Sequence, residues 1–194
     1  NIWFGENKEH NDDQSNSLAG MDFALTLPTL RFYGEVGGED EAGHLPSHGA
    51  FLAGIYFPKG GLFQKDFRIE YAHITHPAWY VHSVYQSGYT YKKKILGHHV
   101  GGAARDIYLE HGVLDRERMR GKVTLDYEER GVDVRAFRER HYQVGTNWAY
   151  QAETVVIPWT VQTDVLYEWV RDVAYQSGVH QEDALVSFTF VGQL

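Results

Sequence analysis

Arg31, Tyr33 and Glu35 alternate along one stretch, and Glu39-Asp40-Glu41 follows four residues later. A guanidinium, a phenol and carboxylates are the groups that bond the hydroxyls of a sugar. Aromatic faces stack on the C–H side of its ring, and Trp79, Tyr80, Tyr85, Tyr89 and Tyr91 supply such faces in one run. Each set also has a plainer reading. The acidic stretch can simply reverse the chain and order it through side-chain to backbone bonds, as Asp does in turns. The aromatic run can be an interfacial girdle or loop packing. Arg68 and Glu70 read better as a cross-strand ion ladder than as ligand contacts.

Other chemistries are poorly supported. Glu39 and Glu41, or Asp126 and Glu128, pair carboxylates at i and i+2, but strand geometry alone puts such neighbours on one face, and glycoside hydrolysis needs a set separation across a cleft. No nucleophile elbow, phosphate loop or triad order occurs, so no catalytic residue is assigned. His98-His99 and the pair His44 and His48 invite a metal. Adjacent histidines on a strand face opposite ways, however, and no three-ligand set is evident. Glu39-Asp40-Glu41 lacks the spaced oxygens of a calcium loop. The expectation is therefore no metal and no cofactor.

These residues sit on alternating stretches. Leu30, Phe32, Gly34 and Val36 share one face, opposite Arg31, Tyr33 and Glu35, as period two on a strand requires. The acidic stretch, Gly37 to Ser47, reads as a turn, and Phe51, Ala53, Ile55 and Phe57 restart the apolar face. Phe67, Ile69 and Tyr71 oppose Arg68 and Glu70, and Val123, Leu125 and Tyr127 oppose Thr124, Asp126 and Glu128. Further strands are expected over 21–27, around Ile107 and Leu109, and over 148–161, 164–175 and 183–193. Residues 2–5 read as a strand end and 7–16 as a polar loop. Val134 to Tyr142 has helix-forming composition and is expected to make a short helix.

Composition excludes several classes. The chain has 194 residues, a net charge of −8 and no cysteine. Disulfides and thiolate metal sites are ruled out. The acidic balance argues against nucleic acid as a partner, although Arg116, Arg118, Arg120 and Lys122 form a local basic cluster. No run approaches the apolar length of a spanning helix, yet a spanning strand needs only about 9–11 residues with every second one apolar. Alternation alone leaves two arrangements open: a soluble sandwich with its apolar faces together, or a membrane barrel with apolar residues toward lipid and charges toward a wet lumen. Both charge signs on the polar faces, and Trp and Tyr near strand ends, lean toward the barrel.

Leu30-Arg31-Phe32-Tyr33-Gly34-Glu35-Val36-Gly37-Gly38-Glu39-Asp40-Glu41-Ala42-Gly43-His44-Leu45-Pro46-Ser47, the strand from Phe67 to Tyr71, and Tyr89-Thr90-Tyr91 leading to Gly97-His98-His99-Val100-Gly101-Gly102 closely resemble the capsule assembly protein Wzi family. The resemblance is strongest from Asp22 to Leu109 and thins after Arg130. It implies an all-β fold: an antiparallel transmembrane β-barrel of the bacterial outer membrane, a meander of hairpins covering only part of the family's large barrel. It also implies a non-catalytic lectin that holds capsular or other surface polysaccharide, with a passive porin as the alternative and a glycan-processing enzyme behind it.

The chain supplies about half the strands that closure needs. The expectation is a single barrel domain over residues 1–194, a fragment whose missing strands come from the rest of the chain or from another chain, with outer-membrane lipid as its surroundings. The ligand-binding candidates are Arg31, Tyr33, Glu35, Glu39, Asp40, Glu41, Trp79, Tyr89 and Tyr91.

Overall fold

The computed structural model describes residues 18–42, 45–77, 79, 90–92, 94–95, 97–152 and 159–192, with side chains placed for 19–38, 48–77, 79, 92, 97–152 and 159–191. Residues 2–5 and 7–16, and Tyr89, lie outside the described residues. Eleven strands are formed: β1 (Leu18–Thr26), β2 (Arg31–Ala42), β3 (Leu45–Phe57), β4 (Phe67–Ile74), β5 (Thr90–Tyr91), β6 (Lys94–Ile95), β7 (Ala104–Arg116), β8 (Met119–Arg130), β9 (Glu139–Ala152), β10 (Trp159–Arg171) and β11 (His180–Gly192). Nine of them make one antiparallel sheet in the order β1-β2-β3-β4-β7-β8-β9-β10-β11, and β5 and β6 form a separate hairpin. Apart from the β5–β6 excursion between β4 and β7, neighbours in the sheet follow one another in sequence, so it is a meander. Its outer strands, β1 and β11, have one partner each among the described residues.

Two expectations from sequence are corrected here. Glu39-Asp40-Glu41 is not a turn: β2 runs on through Ala42, with Glu39 opposite His48, Glu41 opposite Pro46 and Ala42 opposite Leu45. Charge at alternate positions marks the wet face of a strand as readily as it marks a turn. Val134 to Tyr142 is not a helix. Gly131 and Asp133 take left-handed backbone angles (φ 76° and 61°), which break a helical start, and β9 already begins at Glu139. Ladder pairing with β8 claims the chain from Glu139 onward, and the residues left at 134–138 are too few for a stable helix.

Registers link the polar positions into continuous rows. One row runs Glu35, Leu52, Ala72, Asp106, Glu128, His141 and Val170. The next runs Tyr33, Gly54, Glu70, Tyr108, Asp126, Gln143, Glu168 and Asp183. These rows occupy the face over which Trp79 and residues 97–103 lie. The opposite face carries Phe23, Ile69, Leu125, Val144, Val165 and Phe188, all exposed.

Burial is thus inverted relative to a water-soluble protein. Glu128 is 1% exposed and Asp106 3%, while Leu125 is 45% exposed and Phe188 63%. In water this would waste the apolar area on which folding depends. Against hydrocarbon it is the stable arrangement, and it settles the choice between sandwich and barrel that alternation left open.

The apolar face is bordered by rings. Tyr127, Tyr142 and Trp169, adjacent in register, stack edge by edge with centroids 5.1 and 5.4 Å apart, and the Arg171 guanidinium lies 4.0 Å over Trp169. Along β9, Tyr142 and Tyr150 are about 27 Å apart at ~3.4 Å per residue, close to the height of the apolar band on such barrels. Amphipathic rings at those two levels suit the headgroup boundary. At the far end of the sheet Phe57, Phe63 and Phe67 pack together at 5.1 and 5.4 Å.

Packing of apolar side chains in the described interior is confined to one cluster. Ile74 and Ala104, at the ends of β4 and β7, are covered by Trp79 and Val100 from the long connection between those strands. That connection is fastened to the wall by main-chain bonds. Ala103 N–H donates to His76 O (3.0 Å), and Val132 N–H donates to Ala103 O (2.8 Å). Gly102 is required there: a Cβ on it would lie 2.8 Å from Pro77 O and closer still to His76 O.

Candidate functional site

Tyr33 is the centre of a polar ladder on the inner face. It lies opposite Gly54, and its ring occupies the space a side chain at Gly54 would fill. This lets the Tyr33 hydroxyl reach across β3 and donate to Glu70 on β4. Arg68 then bridges Glu70 (3.7 Å) and Glu110 (3.6 Å), with its guanidinium 4.8 Å over the Tyr108 ring. Lys122 closes the chain on Glu110 at 2.8 Å. Arg31 lies 5.8 Å over Tyr33. Asn147 and Ser187 both donate to Asp164 on the β8–β11 side of the wall.

The expectation of an ion ladder at Arg68 and Glu70 is met. The ladder mixes phenols, carboxylates and cations, so the wall offers a lattice of polar atoms to water or to a hydroxylated ligand.

A cavity of about 360 Å³ opens between this wall and the folded-in connection, lined in part by Glu35, Gly37, Leu52, Ala72, Trp79 and His98. Its volume is at the lower end of the range for small-ligand sites. Glu35 and Trp79, distant in sequence, therefore share one space. Trp79 is 4% exposed and packs on Ile74, Val100 and Ala104, so it belongs to the interior rather than to a girdle. Tyr33 belongs to the adjacent ladder and Arg31 to the rim beyond it. Glu39, Asp40 and Glu41 continue the same strand past the cavity, and Tyr91 sits on the β5–β6 hairpin; the side chains of these four lie outside the described residues.

Sequence reasoning missed one constellation. His98 and His99 are on a turn, not a strand, so they do not diverge: their rings stack with centroids 4.5 Å apart. His99 Nε2 lies 3.3 Å from Asp106 Oδ2, 3.3 Å from Glu128 Oε1 and 3.7 Å from Asp126 Oδ2, and His98 Nε2 lies 3.5 Å from Asp106 Oδ2. The flanking Gly97, Gly101 and Gly102 were the available signal for a turn. Asp106 is reached only through the register that sets it beside Glu128.

The two imidazoles respond oppositely to this setting. Bonding to Asp126 and Glu128 outweighs burial at His99 and holds its ring charged, with a pKa raised to about 10. Burial and the neighbouring His99 push His98 below the usual histidine range. Glu128 is also gripped by Arg130, whose Nη2 and Nε lie 2.6 and 3.0 Å from Oε2. Among the described residues, His98, His99 and Asp106 form one set that could hold a metal ion, and His99, Asp126 and Glu128 form another.

Further along the wall, His141 is clasped between two carboxylates, Nδ1 at 2.8 Å from Glu168 and Nε2 at 2.8 Å from Glu139. Gln143 adds a bond to Glu168 at 3.0 Å.

Comparison with known proteins agrees with this architecture. A solved structure of Wzi, an outer membrane protein involved in group 1 capsule assembly in Escherichia coli and described as a carbohydrate-binding β-barrel, superposes with a TM-score of 0.70 at 21% identity. The alignment covers 93% of this chain and 43% of that one. An uncharacterized 55.8 kDa protein in the cps region of Klebsiella pneumoniae is 47% identical over 55 residues, which is 26% of this chain and 11% of that protein. The chain thus spans less than half of the E. coli protein's length. The sheet, apolar outside and charged inside, is that of an outer-membrane β-barrel. The family model for capsule assembly protein Wzi matches residues 2–185, and the chain belongs to that family.

Proposed function

We propose that this chain forms part of an outer-membrane barrel that binds and anchors capsular or other surface polysaccharide, without catalysis. The observation that carries the reading is the single cavity shared by Glu35 and Trp79, set beside the Tyr33–Glu70–Arg68–Glu110–Lys122 ladder. A planar carboxylate, an indole and fixed cations are what a sugar hydroxyl and an acidic polysaccharide each require. The same reading takes Arg31, Glu39, Asp40, Glu41, Tyr89 and Tyr91 as further contacts to the polysaccharide. The carbohydrate-binding of the related E. coli barrel supports the same reading. The free edges of β1 and β11 are completed by further strands, from this protein or another chain, because unpaired backbone groups in lipid cost several kcal/mol each.

Packing of Trp79 and Val100 over the wall argues against a passive pore, since it fills lumen that conduction needs. The test is retention of purified capsular polysaccharide on the barrel in detergent micelles. Glu35→Ala and Arg31→Ala are each expected to weaken retention about tenfold, the effect of roughly 1.4 kcal/mol. Steady ion conductance in planar bilayers with no polysaccharide retained would favour the porin. Oligosaccharide turnover lost in Glu39→Gln would establish an enzyme.

A further inference from the structure

Asp106 contributes an oxygen that the surrounding side chains leave unanswered. Its residue is 3% exposed, and Oδ1 is buried without a hydrogen-bond partner, as is Oδ1 of Asp126 two positions away across the β7–β8 ladder. A buried carboxylate oxygen with no donor is costly, so a wall carrying two of them side by side calls for a cation. The imidazole of His99 is too little. A ring nitrogen carries at most one hydrogen, yet three carboxylate oxygens surround Nε2 at 3.3, 3.3 and 3.7 Å, so one N–H cannot serve them all.

Those spacings have another meaning. Donors placed tetrahedrally ~2.1 Å from a zinc-like ion lie about 3.4 Å from one another. The His99–Asp106, His99–Glu128 and His98–Asp106 separations of 3.3, 3.3 and 3.5 Å match that edge. Within each of the two sets the donor atoms lie within 4.8 Å of one another.

We propose that His98, His99 and Asp106, with one oxygen of the neighbouring Asp126–Glu128 pair, bind a divalent transition-metal ion of the zinc type, which displaces the proton that His99 otherwise carries and clamps the turn at residues 97–102 to the inner wall. Two imidazoles with carboxylates and no thiolate favour zinc and its neighbours over calcium or magnesium. Arg130, bonded to the other oxygen of Glu128, fixes that carboxylate's orientation as an outer partner of a metal ligand does. The His99 side chain is 55% exposed, which leaves an entry path from the lumen. The site is independent of whether the neighbouring cavity binds a sugar.

The experiment is a cobalt(II) titration of the chelator-stripped barrel in detergent micelles, followed by zinc displacement. Wild type is expected to show the intense visible absorption of tetrahedral cobalt and to lose it on adding one equivalent of zinc. His99→Ala and Asp106→Asn are expected to weaken binding at least tenfold, while His111→Asn on the outer face keeps wild-type affinity. Should Asp106→Asn fail to fold, His98→Gln, on the partly exposed turn, serves in its place. A weak octahedral spectrum, or equal affinity in wild type and the cluster variants, overturns the proposal.

Discussion

His141→Leu is expected to be the most destabilising single change on the inner wall, at about 3–5 kcal/mol, the usual loss when one member of a buried charged group is removed. The ring is 7% exposed and separates Glu139 from Glu168, touching each at 2.8 Å. Leucine fills the volume but offers neither carboxylate a donor. Gln143 still bonds Glu168, and the Ala174 amide still donates to Glu139 at 2.6 Å, so both acids stay in place and face one another across an apolar side chain. Denaturant midpoints of the barrel refolded in lipid measure the effect. His141→Gln, which keeps a donor, should recover more than half of the loss, and so should His141→Leu combined with Glu168→Gln. A loss below about 1 kcal/mol for His141→Leu would show that the clasp is screened by lumen water and contributes little.

Gly102→Ala is the second large effect, expected at about 2–4 kcal/mol, from overpacking together with lost main-chain bonds. The added methyl meets carbonyl oxygens at His76 and Pro77, which are backbone and cannot swing aside. Relief requires the connection to move away from the wall. That motion breaks the Ala103–His76 bond, loosens the Val132–Ala103 bond and uncovers Trp79 and Val100. Protease cleavage within residues 75–103 should rise sharply, and ion conductance through the lumen should rise with it. Unchanged cleavage and an unchanged denaturant midpoint would mean that the connection is held by something other than this close approach.

How much of this could be read from sequence depended on whether the signal was local. Phe67, Ile69 and Tyr71 against Arg68 and Glu70 gave β4 directly, because a strand's two faces appear as two letters of alternation. The outward direction of the apolar face was not in that pattern. It came from the family resemblance, and the exposed Leu125 and buried Glu128 bear it out. Glu39-Asp40-Glu41 was misread because three consecutive acids look like a loop unless the strand has a wet face to place them on. Residues 134–142 were misread because propensity is summed over a segment, whereas the strand pairing that begins at Glu139 takes the second half of it.

The His98–His99 cluster was illegible for another reason. Its members come from a turn and two strands, and only the register that sets Asp106 opposite Glu128 assembles them. The cavity is similar: Glu35 and Trp79 meet only because the connection folds inward. Arg68 and Glu70 were legible as a ladder since two residues on one strand already suffice to suggest it.

The sheet's two bare margins carry a practical consequence. On β1 and β11, alternate amides and carbonyls point sideways with no partner among the described residues, and the strands are long and lack proline. Sheets left with such edges uncovered pair margin to margin into ribbons. Biophysical work therefore has to begin from a ring with no open seam, and a ribbon-forming preparation would report on the seam rather than on the carboxylates and imidazoles inside.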